Sequence, residues 1–133
     1  TADVKTEVWK KLVLNCATLP TAALTHLTSG DLDQPAPMRD LIDELAREAV
    51  AVGRAAGRPV DPEERIAAIH AVLGRAGKGK ASMLQDVEAQ RPTEIDAING
   101  AVLREADRLG IRVPNNQAMF GLIKGLERSW QGD

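Results

Sequence analysis

The chain has few aromatic side chains, one cysteine and two histidines among its 133 residues. Aromatic residues make up 2%, with no Tyr, so aliphatic side chains must form the core. The single cysteine, Cys16, excludes an internal disulfide and predicts a reducing, cytoplasmic location. His26 and His70 are too few for a histidine-rich metal cluster, so no metal is expected.

The sequence also lacks a strong net charge and long apolar runs. A net charge of -2 and a pI near 5.7 provide no basic surface of the kind that binds nucleic acid. No apolar run approaches the ~20 residues that a membrane-spanning helix needs. We therefore expect neither a nucleic-acid nor a membrane partner. The first residue is Thr rather than Met, which suggests that an upstream part is missing.

Motifs that bind nucleotide phosphates are missing as well. The basic segment from Gly74 to Lys80 lacks the spacing of a P-loop, and no predicted strand precedes it. No Gly-x-Gly-x-x-Gly follows a strand, and strands do not alternate with helices. The chain by itself is not expected to build a dinucleotide site.

Apolar residues recur at helical spacing through most of the chain. A first helix is predicted over about residues 3–17, with an apolar face of Val4, Val8, Leu12 and Cys16. A break at Thr18 and a short helix containing Pro20 are expected next. Residues 34–37 are expected to be irregular, and a long helix is predicted from Met38 to a stop near Gly57.

The second half of the chain also carries helix signals. Asp61 and Pro62 are typical of a helix start, and Asn115 or Asn116 is expected to cap the last helix. His70 lies near an apolar stripe, which favours a hydrogen-bonded boundary residue. No segment alternates with a period of two. The sequence predicts a single all-α domain, residues 1–133, with six or seven helices.

Two polar features interrupt these apolar patterns. Lys11 and Asn15 lie one turn apart on the first helix, where Asn15 divides an apolar run. An unpaired buried amide costs roughly 1–3 kcal/mol, so Asn15 needs a partner. Either both residues contribute to a site, or Lys11 extends to solvent while Asn15 bonds a neighbouring backbone group.

The second feature is the stretch from Ser82 to Gly100, which Pro92 divides into two helical pieces. Thr93-x-x-Asp96 is similar to a capping box and places Glu94 in the first turn of a helix. Taken alone, these residues could simply cap that helix. The alternative is that they form part of a site.

In order and spacing, the polar motifs resemble the C-terminal domain of the ketopantoate reductase (2-dehydropantoate 2-reductase) family. The matching segments are Lys11-Leu12-Val13-Leu14-Asn15-Cys16, Ser82-Met83-Leu84-Gln85-Asp86, Arg91-x-Thr93-Glu94-Ile95-Asp96-x-Ile98-Asn99-Gly100 and Gly110-Ile111-x-Val113-Pro114-x-Asn116. The resemblance covers almost the whole chain. It implies a compact helical domain, like that of 6-phosphogluconate dehydrogenase-like proteins.

The resemblance also implies an activity, which is the NADPH-dependent reduction of ketopantoate to pantoate in pantothenate biosynthesis. An N-terminal Rossmann domain, in cis or in trans, would bind NADPH. This chain would supply the substrate site and would be inactive alone. A homodimer is a further implied partner.

Roles for individual residues follow from the same resemblance. Lys11 matches the catalytic lysine, a general acid toward the 2-oxo group, and Glu94 matches an acid that contacts the substrate hydroxyl and helps place the lysine. Asn15 and Ser82 match substrate-binding residues, with Ser82 at the carboxylate. Supporting roles as caps and loop ties are expected for Asp86, Asp96 and Asn99.

Two positions depart from the family pattern. Leu19 replaces a second asparagine, and Ser29 replaces an asparagine before the glycine of a turn. Loss of two amides near a hydroxylated substrate should alter which 2-oxo acid fits. A second hypothesis is that the chain is a helical dimerisation module that keeps the fold without catalysis.

Overall fold

The computed structural model describes residues 3–132, which form six α-helices and one 3₁₀ turn without a β-strand. The predicted all-α class is therefore confirmed. The elements are α1 (Val4–Thr25), α2 (Ala36–Ala55), α3 (Pro62–Ala76), α4 (Ser82–Glu88), the 3₁₀ turn (Ile95–Ala97), α5 (Asn99–Leu109) and α6 (Pro114–Trp130). Among these residues no helix is long and apolar enough to cross a membrane.

Helix α1 lies at the centre and contacts α2, α3, α4 and α6. Its core residues, including Val13, Cys16 and Ala17, are fully buried. The predicted apolar face is wrong at its beginning, because Val4 and Val8 are 73% and 62% exposed. A spacing of four exceeds the 3.6 residues of a helical turn, so the direction drifts by about 40° at each step. The stripe therefore turns from solvent at Val4 into the core at Cys16.

The predicted break near Thr18 is also wrong, because α1 continues through Pro20 to Thr25. Proline has no N–H for the carbonyl four residues earlier, which is that of Cys16. The side-chain amide of Asn99 donates to this carbonyl at 3.2 Å instead. A residue 83 positions away thus compensates for the proline, and local sequence could not reveal it.

Helix α6 begins at Pro114, so the prediction that Asn115 or Asn116 caps it from outside is wrong. The carboxylate of Glu48, from α2, accepts hydrogen bonds from the backbone N–H groups of both asparagines at 3.0 and 2.9 Å. A carboxylate is favourable there because the unpaired N–H groups of a helix start carry partial positive charge.

Of two other helix starts, the sequence predicted that of α2 wrongly and that of α3 correctly. Helix α2 begins at Ala36, inside the segment expected to be irregular, with Pro37 in its first turn. Proline is tolerated there because the first N–H groups have no intrahelical acceptor. The start of α3 is as predicted, since the Asp61 carboxylate accepts from the N–H of Glu64 at 2.8 Å. Beyond Leu73, α3 continues past Gly74 to Ala76.

His70 joins three parts of the fold. Its Nδ1 lies 2.6 Å from a carboxylate oxygen of buried Asp33, and its Nε2 lies 2.6 Å from one of Asp43. Both nitrogens donate only when the ring carries two protons. The histidine is thus bonded at the boundary of the core, as its position in the sequence suggested, and it ties α3 to α2 and to the loop before α2.

Candidate functional site

A cavity of about 670 Å³ lies between α1, the start of α4 and residues 94–101. Four polar residues line it, namely Lys11, Asn15, Ser82 and Glu94. The rest of its wall is hydrocarbon or aromatic, from Val8, Trp9, Leu12, Leu19, Ala97, Ile98 and Ala101. The four side chains assigned to catalysis and substrate binding from sequence are thus neighbours around one concave surface.

Helix α1 supplies one side of the cavity. Lys11 and Asn15 lie one turn apart, with Leu19 one further turn along. Neither Lys11 nor Asn15 makes a side-chain hydrogen bond or ion pair to another residue of the described range 3–132. The neighbouring Lys10, in contrast, pairs with Glu7 at 3.5 Å. The ammonium and the amide at the cavity therefore keep their hydrogen-bonding capacity for a ligand.

Ser82 is the first residue of α4, and the loop before it is docked on another loop. The N–H groups of Ser29 and Gly30 donate to the carbonyls of Gly79 and Gly77 at 2.9 and 2.8 Å. A Cβ at Gly30 would lie 2.4 Å from the carbonyl oxygen of Gly77, so this approach requires glycine. The docked loop fixes where α4 begins and hence where Ser82 meets the cavity.

Glu94 lies in a connection rather than in the first turn of a helix, so the predicted capping box is wrong. The Thr93 hydroxyl accepts from the N–H of Ile95 at 3.2 Å, a local turn that leads into the 3₁₀ turn. The backbone of Ile98 then leaves helical geometry, at φ -105° and ψ -95°, and α5 begins only at Asn99. Glu94 is exposed, and its carboxylate has no hydrogen-bonding partner within residues 3–132.

Trp9 is a cavity residue to which sequence reasoning assigned no role. Its indole N–H donates to the carbonyl of Ala49 at 2.9 Å. A Cβ at Gly53 would lie 2.3 Å from the indole nitrogen, so the ring packs directly on the backbone of α2. This fixed ring forms part of the cavity wall. No local pattern could indicate the contact, because Gly53 lies far along the chain.

Two of the expected supporting residues tie loops at the edge of the site. Asp86 bonds the guanidinium of Arg91 at 3.2 and 3.3 Å, beside a smaller cavity of about 360 Å³. That cavity shares Leu19, Ser82, Glu94 and Ile98 with the larger one. Asp96 contacts Lys124 at 3.3 Å through its carboxylate and accepts from Arg104 at its carbonyl.

The third supporting residue, Asn99, belongs to a buried polar network. Its amide donates to Asn116 Oδ1 at 2.9 Å as well as to the Cys16 carbonyl. The amide of Asn116 donates to the carbonyl of Leu45 and to Glu48 Oε1, at 3.2 and 3.0 Å. The network links four helices beneath the cavity-lining segments of α1 and residues 94–101.

Cys16 adjoins Asn15 but does not contribute a nucleophile. Its side chain is fully buried, and burial raises the pKa of the thiol above its ordinary value. A buried neutral thiol is unreactive, because the thiolate is the nucleophilic form. The chemistry of the cavity thus depends on its ammonium, amide, hydroxyl and carboxylate groups.

The family model described as "Ketopantoate reductase PanE/ApbA C terminal" matches residues 3–127 of this chain. The chain belongs to the ketopantoate reductase family. The 2-dehydropantoate 2-reductase of Vibrio cholerae is 34% identical over 128 residues, which are 96% of this chain and 43% of that protein. The enzyme of Shigella flexneri is 33% identical over 130 residues and is covered to 42%. The chain thus spans less than half the length of these curated relatives.

Several solved structures share the fold of this chain. A PanE/ApbA family ketopantoate reductase from Ralstonia eutropha superposes with a TM-score of 0.92 at 30% identity, over 99% of this chain and 44% of that one. A D-mandelate dehydrogenase, solved with NADH and anilino(oxo)acetate, also gives 0.92, at 22% identity and 97% and 43% coverage. A dimeric ketopantoate reductase from Staphylococcus aureus gives 0.87, at 22% identity and 97% and 45% coverage.

The described residues do not fit a complete dinucleotide site. Residues 3–132 contain no strand, whereas a dinucleotide fold needs a parallel sheet whose turns hold the pyrophosphate. No group of three or more potential metal ligands occurs in this part of the chain. Within residues 3–132 the structure instead shows a cavity of about 670 Å³ lined by four polar side chains that have no side-chain partner in that range.

Proposed function

We propose that this chain is the substrate-binding and proton-donating domain of an NADPH-dependent reductase of ketopantoate or a related 2-oxo acid. The observation that carries the proposal is the group of four polar side chains around one cavity, none of them bonded to another residue in the range 3–132. A polar group without an internal partner is available to a ligand. Family membership supports the reaction class.

The four groups match the chemistry of a 2-oxo acid. The hydroxyl of Ser82 and the amide of Asn15 can donate to its carboxylate and oxo oxygens. The ammonium of Lys11 provides positive charge where the oxo oxygen becomes negative. Glu94 can accept from a substrate hydroxyl and hold the lysine in orientation. Ketopantoate carries the carboxylate, the oxo group and the hydroxyl within one small molecule.

Reduction adds a hydride to the carbon of the oxo group and a proton to its oxygen. Lys11 donates that proton from its ammonium and is left as a neutral amine, which is general acid catalysis. The hydride would come from NADPH bound to a separate Rossmann domain in cis or in trans. The isolated chain, without that domain, should therefore be inactive.

The test is turnover by the full-length protein in which this chain occurs. NADPH oxidation is followed with ketopantoate and with its analogue that lacks the hydroxyl group, and NADH is compared as the cofactor. We expect turnover by the full-length protein and none by the isolated chain. Absence of turnover with every 2-oxo acid and both cofactors would overturn the proposal.

The second candidate is a non-catalytic dimerisation module. Exposed apolar residues favour it, since Val4 at the start of α1 is 73% exposed and Leu122 on α6 is 54% exposed. Sedimentation of the full-length protein distinguishes the two. A Leu122→Ser variant, whose substitution lies outside the cavity, would support an active dimer if it loses both dimerisation and turnover. A dimer without any turnover would favour the module.

A cytoplasmic location of the protein stays a prediction.

A further inference from the structure

Asn99 is a buried residue that bonds directly to the backbone of the site helix. It is 0% exposed, and its amide nitrogen has two acceptors, the Cys16 carbonyl at 3.2 Å and Asn116 Oδ1 at 2.9 Å. Both acceptors are oxygens that cannot donate. An inverted amide would place its own oxygen against two others, so only one orientation is allowed.

The partner carbonyl is available because of Pro20. In an uninterrupted helix the N–H of residue 20 would bond the carbonyl of Cys16, and proline has none. The carbonyl is next in the chain to Asn15, between the turns that carry Lys11 and Leu19. A tertiary hydrogen bond therefore replaces a helical one within the segment of α1 that lines the cavity.

At its other end, Asn99 is tied to the opposite wall of the same cavity. It follows Ile98, a cavity residue, and lies five residues after Glu94. The amide of Asn116 and the carboxylate of Glu48 hold the far side of the network in α6 and α2. The Asn99 bond thus spans the two walls that carry Lys11 and Glu94.

We infer that Asn99 is a positioning residue, whose bond to the Cys16 carbonyl sets the separation between Lys11 on α1 and Glu94 in the opposite wall. Its side chain is fully buried and does not line the cavity. The inference rests on the proposed function for its activity readout. Its stability and crystallographic readouts are independent of that function.

The primary test is a pair of variants in the full-length protein, Asn99→Ala and the double variant Asn99→Ala/Pro20→Ala. In the single variant the Cys16 carbonyl loses its partner, and we expect Tm to fall by about 5–10 °C. Alanine at position 20 supplies the missing backbone N–H, so the double variant should regain part of that loss. Both variants lack the hydrogen bond from the Asn99 amide to the Cys16 carbonyl, which joins the two walls.

Turnover then separates positioning from stability. We expect kcat to fall roughly 10- to 100-fold in the single variant, since displacements of about 1 Å can cost that much. The double variant should regain part of the lost Tm but none of the lost kcat. Recovery of kcat together with Tm would overturn the inference, because Asn99 would then only satisfy a carbonyl.

Asn115→Ala is the matched control. The Asn115 amide bonds the Glu48 carboxylate at 2.7 Å, so its loss weakens the network without touching Asn99 or α1. All assays are run well below the lowest Tm. We expect Asn115→Ala to lower Tm while kcat stays within twofold. An equal loss of kcat in this control would also overturn the inference.

Crystal structures of the double variant and the parent decide the geometry without any assay. We expect the separation between the Cα atoms of Lys11 and Glu94 to change in the double variant, and an unchanged separation would contradict the inference. If the parent protein turns over no 2-oxo acid, the proposed function fails, while this comparison still tests Asn99.

Discussion

The polar groups of the cavity and those of the buried network differ in their hydrogen bonding. Lys11, Asn15, Ser82 and Glu94 face the cavity without a side-chain partner in the range 3–132. In the network, the carboxylate of Glu48 accepts four hydrogen bonds, and both amide groups of Asn99 and Asn116 donate twice.

The difference indicates two uses of the same chemical groups. Unpaired polar groups inside a protein are costly, and within residues 3–132 the network leaves one buried side-chain atom unpaired, Asn99 Oδ1. Its other amide and carboxylate groups are bonded to one another and specify how the helices meet. The cavity groups are exposed or half-buried, so solvent can reach them and this cost does not arise. Variants in the first set should therefore change activity at constant stability, whereas variants in the second should lower stability whether or not they also change activity.

The largest expected effect is the loss of turnover in Lys11→Ala. Without the ammonium the oxo oxygen has no proton donor, and general acid catalysis is worth about 10²–10⁴-fold in kcat. Thermal unfolding should be unchanged, since Lys11 is exposed and has no ion pair in the described part of the chain. The matched control is Lys10→Ala, which removes the adjacent lysine and should retain kcat. Global unfolding of Lys11→Ala would instead assign Lys11 to structure.

Glu48→Ala should give the largest loss of stability. It removes the acceptor of four hydrogen bonds and the cap of α6, and we expect about 2–4 kcal/mol less free energy of unfolding in urea. Glu44→Ala, on the same helix but with its side chain 60% exposed, is the control and should change stability by at most about 0.5 kcal/mol. If the two substitutions lower the free energy of unfolding equally, the buried network contributes no more to stability than an exposed glutamate does.

A smaller effect is expected from Leu19→Asn, which changes specificity rather than stability. An amide at this position of the cavity wall can bond a substrate hydroxyl, whereas leucine cannot. The ratio of kcat/KM for ketopantoate to that for its analogue without the hydroxyl should rise about tenfold. Leu19→Ala, which removes the hydrocarbon without adding an amide, should leave the ratio unchanged. If both variants change this ratio equally, the size of the cavity rather than its polarity determines which substrate is preferred.

The smallest effect should come from Asp86→Ala. The ion pair with Arg91 is partly exposed, at 24% and 60% for the two side chains, and such pairs contribute about 0.2–1 kcal/mol. Unfolding in urea should show a loss in that range, and kcat should stay within twofold. A large loss of kcat would make the Arg91 loop part of the site rather than its edge.

The sequence predicted which polar residues lie together better than it predicted the local structure around them. Lys11, Asn15, Ser82 and Glu94 could be assigned because motif order carried a family resemblance, and the structure places all four at one cavity. Their catalytic and binding roles stay predictions. Trp9 was missed, because its orientation depends on Ala49 and Gly53, which no motif connects to it.

The sequence alone determined the all-α class and the start of α3, because helical periodicity and the capping of Glu64 by Asp61 act within a few residues. Tertiary structure decided the continuity of α1 through Pro20, the cap of α6 and the late start of α5. For α1 and α6, the deciding hydrogen-bond partner lies more than sixty residues away, at Asn99 and at Glu48. Local patterns report only local hydrogen bonds, so the packed fold had to supply these partners.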